Sequence, residues 1–302
     1  MSGTARKQLK TLRDLLRYAV TRFGEERLFF GQGSQSAFDE AAYLLLNALH
    51  LPIDQLEPFL DARLLSDEIG ALLKRIEARA AGMPAAYLTK EAWLGDYRFY
   101  VDQRTIIPRS YIAELLFEGL APFIEAPRRV KRVLDLCTGS GCLAIIAADV
   151  FPEARVDAID VSADALEVAK INVATYHLEK RIRLIESDLF SALGRERYDV
   201  IICNPPYVNQ ASMQNLPIEY RHEPALALAG GADGMDTIRS ILSGASARLT
   251  RQRDACLVLE IGHEKEHFEA AFNALEYTSL STSGGDDQVI HVSAHALSAG
   301  RS

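Results

Sequence analysis

KRVLDLCTGSGCLA, residues 131 to 144, runs as an apolar strand into two glycines and leaves them as a helix. Glycines at such a corner let the backbone approach a ligand with no Cβ in the way. Gly139-x-Gly141-x-x-Ala144 has the spacing of a dinucleotide fingerprint, and Asp160 closes the next strand candidate about twenty residues on. A carboxylate at that place accepts from both hydroxyls of a ribose, so the pattern predicts an adenosine-containing cofactor. A tight turn without a ligand has the same spacing.

Charge separates the candidate cofactors. Asp135 precedes the glycines, and Asp188 ends a third strand candidate in ESDLF. A pyrophosphate is repelled by a nearby carboxylate, whereas an ammonium and a sulfonium are attracted. Acidic strand ends at 135, 160 and 188 suit the cation S-adenosyl-L-methionine better than NAD. Asp188 is placed to accept from the adenine amine.

Outward from this corner the chain alternates. Strand candidates at 131–137, 154–160, 182–188, 198–204 and 255–262 are interleaved with helical stretches at 143–150, 163–176, 236–248 and 264–275. Such alternation predicts βαβ units around a parallel sheet buried on both faces. YTSLSTS (277–283) and QVIHVSA (288–294) are separated only by residues 284–287, so an antiparallel hairpin is expected at one edge. The tail AHALSAGRS (294–302) is expected to fray.

The fourth strand candidate ends in DVIICNPPYVN, residues 199 to 209. A residue before proline is pushed into extended geometry, which here applies to both Asn204 and Pro205. Neither Pro205 nor Pro206 has an N–H to donate. The loop therefore presents acceptors, the Asn204 side-chain oxygen and the Pro205 carbonyl, and a planar NH₂ gives one hydrogen to each. Tyr207 is placed to cover the flat face of that group. An amide nitrogen is a poor nucleophile because its lone pair is delocalised. Hydrogen bonds of about 1 kcal/mol net cannot carry a methyl transfer, whereas orientation supplies up to about 7–11 kcal/mol. The expected chemistry is alignment of nitrogen, methyl and sulfur, with no dedicated general base.

The first part of the chain has another pattern. Leu12, Leu15, Leu16 and Ala19 recur at helical spacing, and similar stripes cover 39–49 and 66–81, the last with Ser66 as its cap. Residues 84–107 are aromatic and β-branched around Gly95-Asp96, which predicts a β-hairpin. The expected organisation is a small helical domain (1–83), a hairpin linker (84–107) and a Rossmann-like α/β domain (108–302).

Among 302 residues, 33 are Lys or Arg and 41 Asp or Glu, a net charge of −8. That balance is typical of a soluble globular protein and argues against one that coats nucleic acid. No apolar run approaches the roughly 20 residues that span a bilayer, and MSGTARKQLKTLRDLLRYAV has no apolar signal-peptide centre. Cys137, Cys142, Cys203 and Cys256 form no CxxC pair and read as small buried hydrophobes in a reducing compartment. A cytoplasmic location is expected.

Several features distract. HEKEH (263–267) matches the zinc-protease pattern HExxH, yet no third ligand is evident, and a solvated helix start accounts for it; no metal is expected. His222, beside Glu223, is a candidate substrate contact. The remaining histidines are isolated, and the basic run RRVKR (residues 128–132) reads as a solvated linker.

DLCTGSG, Asp160, SDLF and NPPYV, followed by EPALALAGGADGMD (223–236) and LEIG (259–262), resemble the glutamine-amide methyltransferases that modify translation proteins. The likeness runs from about residue 9 to 294. NPPY alone is shared with adenine-amine methyltransferases; its combination with EPxLALxGGxDG is far more specific. The resemblance implies a class I S-adenosylmethionine-dependent methyltransferase sheet. It implies that Asp135, Cys137, Thr138, Gly139, Ser140, Gly141, Asp160, Asp188, Leu189 and Asn204 bind the cofactor, and that Asn204, Pro205, Pro206 and Tyr207 bind the glutamine amide, with Asn204, Pro205 and Tyr207 as catalytic residues. Cys137 stands where the family often has Gly.

The release-factor branch usually has PRPDTE after the hairpin; IIPRSYIAELL (106–116) has Ser110-Tyr111-Ile112 in place of its acidic positions. With LTKEAWLGDYRFYVDQR before it, this resembles the branch that methylates large-subunit (50S) ribosomal protein L-three. The expected partner is that protein, possibly on assembling 50S particles, gripped by the N-terminal helices, with no membrane and no sequence-specific nucleic acid bound. Three alternatives stay open: a release-factor glutamine, an amine in nucleic acid, and a non-catalytic ribosome-assembly role. No basic, aromatic target-recognition insertion is visible between 205 and 254.

Overall fold

The computed structural model describes residues 8–31 and 33–299. The chain divides into one unit of Met1–Ala92 with Leu216–His222 and another of Trp93–Asn215 with Glu223–Ser302. Residues 1–7, part of the segment read for a signal peptide, lie outside the described residues.

The first unit is helical. α1 (Leu12–Glu25) opens with a capping box in which Thr11 accepts the Asp14 N–H and Asp14 accepts the Thr11 N–H. α2 (Ala37–Ala48) is capped by Ser36. α3 (Ser66–Ala80) corrects one expectation, because Ser66 is its first residue rather than its cap. The cap position is Leu65, and Glu68 reaches back to accept the Leu65 N–H at 2.7 Å. The periodic residues do pack together: Leu12, Leu15, Leu16, Ala19 and Phe23 meet Leu44, Leu45, Leu72 and Ile76 in one core.

A charged cluster is buried in this unit. Arg79, 1% exposed, donates to Glu40 at 2.5 Å, Glu219 at 3.1 Å and the Phe29 carbonyl at 2.9 Å. Its guanidinium also lies over the rings of Phe23 and Phe30. Burial raises the Glu40 carboxyl above its ordinary value despite the arginine. The 3-10 turn at Ile218–His222 is thereby fastened to the helices through Glu219.

Residues 84–107 are only in part the expected hairpin. Pro84 and two alanines start a short helix, α4 (Ala85–Thr89), which Lys90 ends in a left-handed conformation. The paired strands are β1 (Ala92–Leu94) and β2 (Tyr97–Phe99), joined through Gly95 at φ +58°.

In the second unit α5 (Ile112–Phe117) precedes β3 (Arg132–Leu136), α6 (Cys142–Val150), β4 (Arg155–Asp160), α7 (Ala163–Thr175), β5 (Ile182–Glu186) and β6 (Val200–Cys203). Then come α8 (Gln210–Gln214), α9 (Asp236–Arg248), β7 (Cys256–Glu260), α10 (Lys265–Ala271), β8 (Thr278–Thr282), β9 (Gly285–Ser293) and α11 (Ala294–Ala299). The sheet order is β5-β4-β3-β6-β7-β9-β8. β3 to β7 pair in parallel; β9 pairs antiparallel with β7 and with β8 at the edge, as the sequence predicts. β6 and β7 are buried at every residue, as strands covered on both faces must be.

Two helical expectations are corrected. α10 stops at Ala271, short of the expected 275. The tail does not fray as far as Ala299: α11 is held by Ala296 and Leu297 in the core and by Ser293, which accepts the Ala296 N–H.

Topology creates the site. The chain lays β4 and β5 on one side of β3, then returns to place β6 on the other. The carboxyl ends of β3 and β6 therefore border the switch point where open α/β sheets bind ligands. Register sets Leu136 opposite Cys203 and Cys203 opposite Leu259. The glycine corner, Asn204 and Glu260 thus leave three adjacent strand ends.

Candidate active site

A cleft of about 400 Å³ opens at those strand ends. Of the residues singled out from the sequence, Cys137, Gly139, Asp160, Asp188, Leu189, Asn204 and Pro206 line it. Asp135, Thr138, Ser140 and Gly141 stand behind the lining rather than in it. Asp135 is fully buried and accepts from the Thr138 hydroxyl at 2.5 Å, while the Ser140 carbonyl accepts from Asn172 at 2.8 Å. These bonds fasten the glycine corner from beneath. Cys137, at the start of the corner, adopts φ +58°, the left-handed region that favours glycine.

The acidic strand ends differ in what they already hold. Asp160 accepts the Gly139 N–H at 2.8 Å and the Ser162 N–H at 2.9 Å; burial nonetheless raises its carboxyl. Burial pushes Asp135 up to about 7, and its Oδ1 has no hydrogen-bond partner among the described residues. Asp188 is exposed, and its carboxylate bonds to no described residue. Desolvated Asp160 and exposed Asp188 in the lining, with Asp135 buried behind it, favour a cation and resist a polyanion. The residues fit S-adenosyl-L-methionine: Asp160 and Asp188 line the cleft as acceptors that would serve a ribose and an amine, and half-exposed Val161 and Leu226 offer apolar cover.

Sequence reasoning missed part of the wall. Thr105 and Ile106, then Pro224, Leu226 and Ala227, and Asp236, Thr237 and Ser240 at the start of α9 also line the cleft. For Pro224, Leu226, Ala227 and Asp236 the signal was EPALALAGGADGMD (223–236), a motif to which no role was attached. Glu223 explains how it is held. Arg109 donates to both its carboxylate oxygens at 2.9 Å, and Ile107 donates its N–H, pinning the segment of 104–107 to that of 223–227.

The NPPY turn has a free side and a braced side. The Asn204 side chain and the Pro205 carbonyl bond to no described residue, and Asn204 faces the cleft. Tyr207 is braced instead. Its hydroxyl donates to Glu260 at 3.1 Å, and Val208 bridges in parallel to Ala229. A Cβ on Gly262 would collide with the Tyr207 ring, and one on Gly234 with its carbonyl oxygen. Both glycines have positive φ, so these two positions combine a close approach with a turn that other residues resist. GGADGM and LEIG are thus the cradle of NPPY.

His222 ends the turn at Ile218–His222 and is half-buried. In HEKEH, Glu264 is the buried member: it accepts from the Asn209 amide at 2.7 Å and is bonded to His267 at 2.6 Å. The glutamate steadies the start of α8.

Residues 113–219 match the family described as Methyltransferase small domain. The crystal structure of the hMettl16 catalytic domain in complex with MAT2A 3'UTR hairpin 6 aligns with a TM-score of 0.51 at 15% identity, over 75% of this chain and 81% of that one. That likeness is one of fold. Sheet order, cleft and matched family together define an S-adenosylmethionine-dependent methyltransferase of class I. Near-full-length relatives carry this further. Ribosomal protein uL3 glutamine methyltransferase of Bordetella pertussis is 59% identical over 291 residues, covering 96% of this chain and 97% of the relative. Proteins of the same name from Neisseria meningitidis serogroup B and Bradyrhizobium diazoefficiens are 55% and 46% identical, covering 95% and 98% of this chain and 94% and 95% of themselves. The chain belongs to the family of ribosomal protein uL3 glutamine methyltransferases.

Proposed function

We propose that this protein methylates the side-chain amide nitrogen of one glutamine in uL3, the large-subunit protein L-three, in the cytoplasm. The observation that carries the reading is a pair of uncommitted acceptors, the Asn204 side-chain oxygen, which faces the cleft, and the carbonyl of Pro205, the next residue along the turn. Each takes one hydrogen of the glutamine NH₂, turning its nitrogen toward the cofactor site. S-adenosyl-L-methionine, when bound, supplies an electrophilic methyl carbon on a sulfonium. As the nitrogen loses electron density, its N–H groups become more acidic and both bonds to Asn204 and Pro205 strengthen, which favours the transition state over the ground state. Pro205 and Pro206 keep the turn from relaxing. Asp160, Asp188, Leu189 and the 137–141 corner hold the cofactor, and the N-terminal helices grip the protein substrate, free or on assembling 50S particles.

Intact-mass analysis of uL3 and of the peptide release factors, from cells with and without this chain, tests the assignment. The expected result is uL3 one methylene lighter in the deletion strain and release factors unchanged. A lighter release factor with unaltered uL3 assigns the enzyme to the other branch.

A further inference from the structure

Glu260 ends β7 one strand away from Asn204, and it is 2% exposed. Three donors converge on its carboxylate: the Ser110 hydroxyl at 2.5 Å, the Tyr111 N–H at 3.1 Å and the Tyr207 hydroxyl at 3.1 Å. Ser110 and Tyr111 come from the segment before α5, Glu260 from the sheet and Tyr207 from the NPPY turn. A buried carboxylate with three donors is a fixed point.

Tyr207 transmits that fixed point to the reacting group. Its ring lies against Gly262 and its carbonyl against Gly234, which leaves the hydroxyl as its polar anchor. Between Tyr207 and Asn204 stand only Pro205 and Pro206, each with φ locked near −65°. A displacement at Tyr207 is therefore carried along a stiff rod to the acceptors at 204 and 205.

We infer that Glu260 is a positioning residue for methyl transfer: acting through the Tyr207 hydroxyl, it sets the angle at which the Asn204–Tyr207 turn holds the substrate amide. The inference rests on the glutamine-methyltransferase reading above. Glu260 does not line the cleft, so its route to the substrate amide runs through Tyr207. Its effect belongs in kcat, because a misaligned amide still binds.

The test is a double-mutant cycle on the full-length protein with Glu260→Gln and Tyr207→Phe. Glutamine keeps the shape of Glu260 but brings two donors of its own to a place where three donors already converge. Misplacing a reacting group by about 1 Å costs on the order of 100-fold, so each single variant is expected to lose about 10- to 100-fold in kcat. KM for S-adenosyl-L-methionine and for the protein substrate stays within about threefold of wild type. Because the two residues act as one unit, the double variant falls no more than about threefold below the worse single. Wild-type kcat in Glu260→Gln, or losses that multiply in the double variant, overturns the inference. Tyr207→Phe removes one oxygen only and stands alone if Glu260→Gln does not fold: wild-type kcat there overturns it equally. The cycle is read on any glutamine substrate that the wild-type protein methylates, so a wrong protein substrate would sink the uL3 assignment and leave this inference to its own result.

Discussion

The carboxylate of Asp160 accepts the N–H of Gly139 at 2.8 Å, tying the end of β4 to the glycine corner that follows β3. The bond orients the carboxylate and shapes the corner at once, so one substitution removes two supports of the proposed cofactor site. Hydrogen bonds to charged groups are worth about 1.5–3 kcal/mol each, so Asp160→Ala is expected to weaken S-adenosyl-L-methionine at least tenfold. Calorimetric titration of the purified variant checks this, with thermal melting to show that it remains folded.

Gly262 tests the cradle around Tyr207. Gly262→Ala places a methyl group where the Tyr207 ring lies and forces a side chain onto φ +55°. Overpacking costs about 1–3 kcal/mol, and the ring must move to relieve it. The variant is expected to lose more than tenfold in kcat, while cofactor affinity changes less than about threefold. Steady-state kinetics alongside cofactor titration separates the two.

Much of the site was legible because its chemistry is local. KRVLDLCTGSGCLA states strand, corner and helix within fourteen residues, and NPPY states its rigidity in four. The edge hairpin was equally plain, since two β-branched runs lay too close together for a crossover. What escaped was nonlocal or ambiguous. Glu219 is 140 residues from Arg79, and Ser110 is 150 from Glu260, so no sequence window holds either pair. AYLTKEAW mixes helix-forming alanine with aromatic residues, and its first half took the helix that Pro84 starts. The tail was expected to fray, but Ala296 and Leu297 pack into the hydrophobic core beside the sheet.

Arg79 makes a prediction about the helical unit. Removing one partner of a buried ion pair leaves an uncompensated charge and costs about 3–5 kcal/mol. Arg79→Ala is expected to destabilise by that order, because Glu40 and Glu219 are both left buried without their cation. Urea denaturation measures it. Restoring part of the loss with Glu40→Gln in the Arg79→Ala background would identify the stranded charge as the cause.

Glu260 also predicts a pH dependence of stability. Burial pushes its carboxyl from 4.5 up to about 7, against the opposing pull of Ser110, Tyr207, the Tyr111 N–H and Arg109. A raised folded pKa means that its stabilising contribution is complete below 4.5 and is lost as pH rises through about 7. The amplitude is on the order of 3 kcal/mol. Glu260→Gln lacks this titration, so the stability of wild type minus variant should fall as pH rises from about 4.5 to above 7. Asp135, raised by burial in the same direction, and His291, lowered by burial to about 4, are common to both proteins and cancel. Chemical denaturation of both proteins at pH values across that window reads the difference; a flat difference refutes the assignment of the burial cost to this carboxyl.

The most direct measurement is fragmentation mass spectrometry of uL3 incubated with S-adenosyl-L-methionine and purified protein, wild type or Asn204→Ala. One added methyl is expected on the side-chain nitrogen of a single glutamine with wild type, and none with Asn204→Ala. Methylation of uL3 at wild-type rate by Asn204→Ala, or a methyl placed on any atom other than a glutamine amide nitrogen, would contradict it.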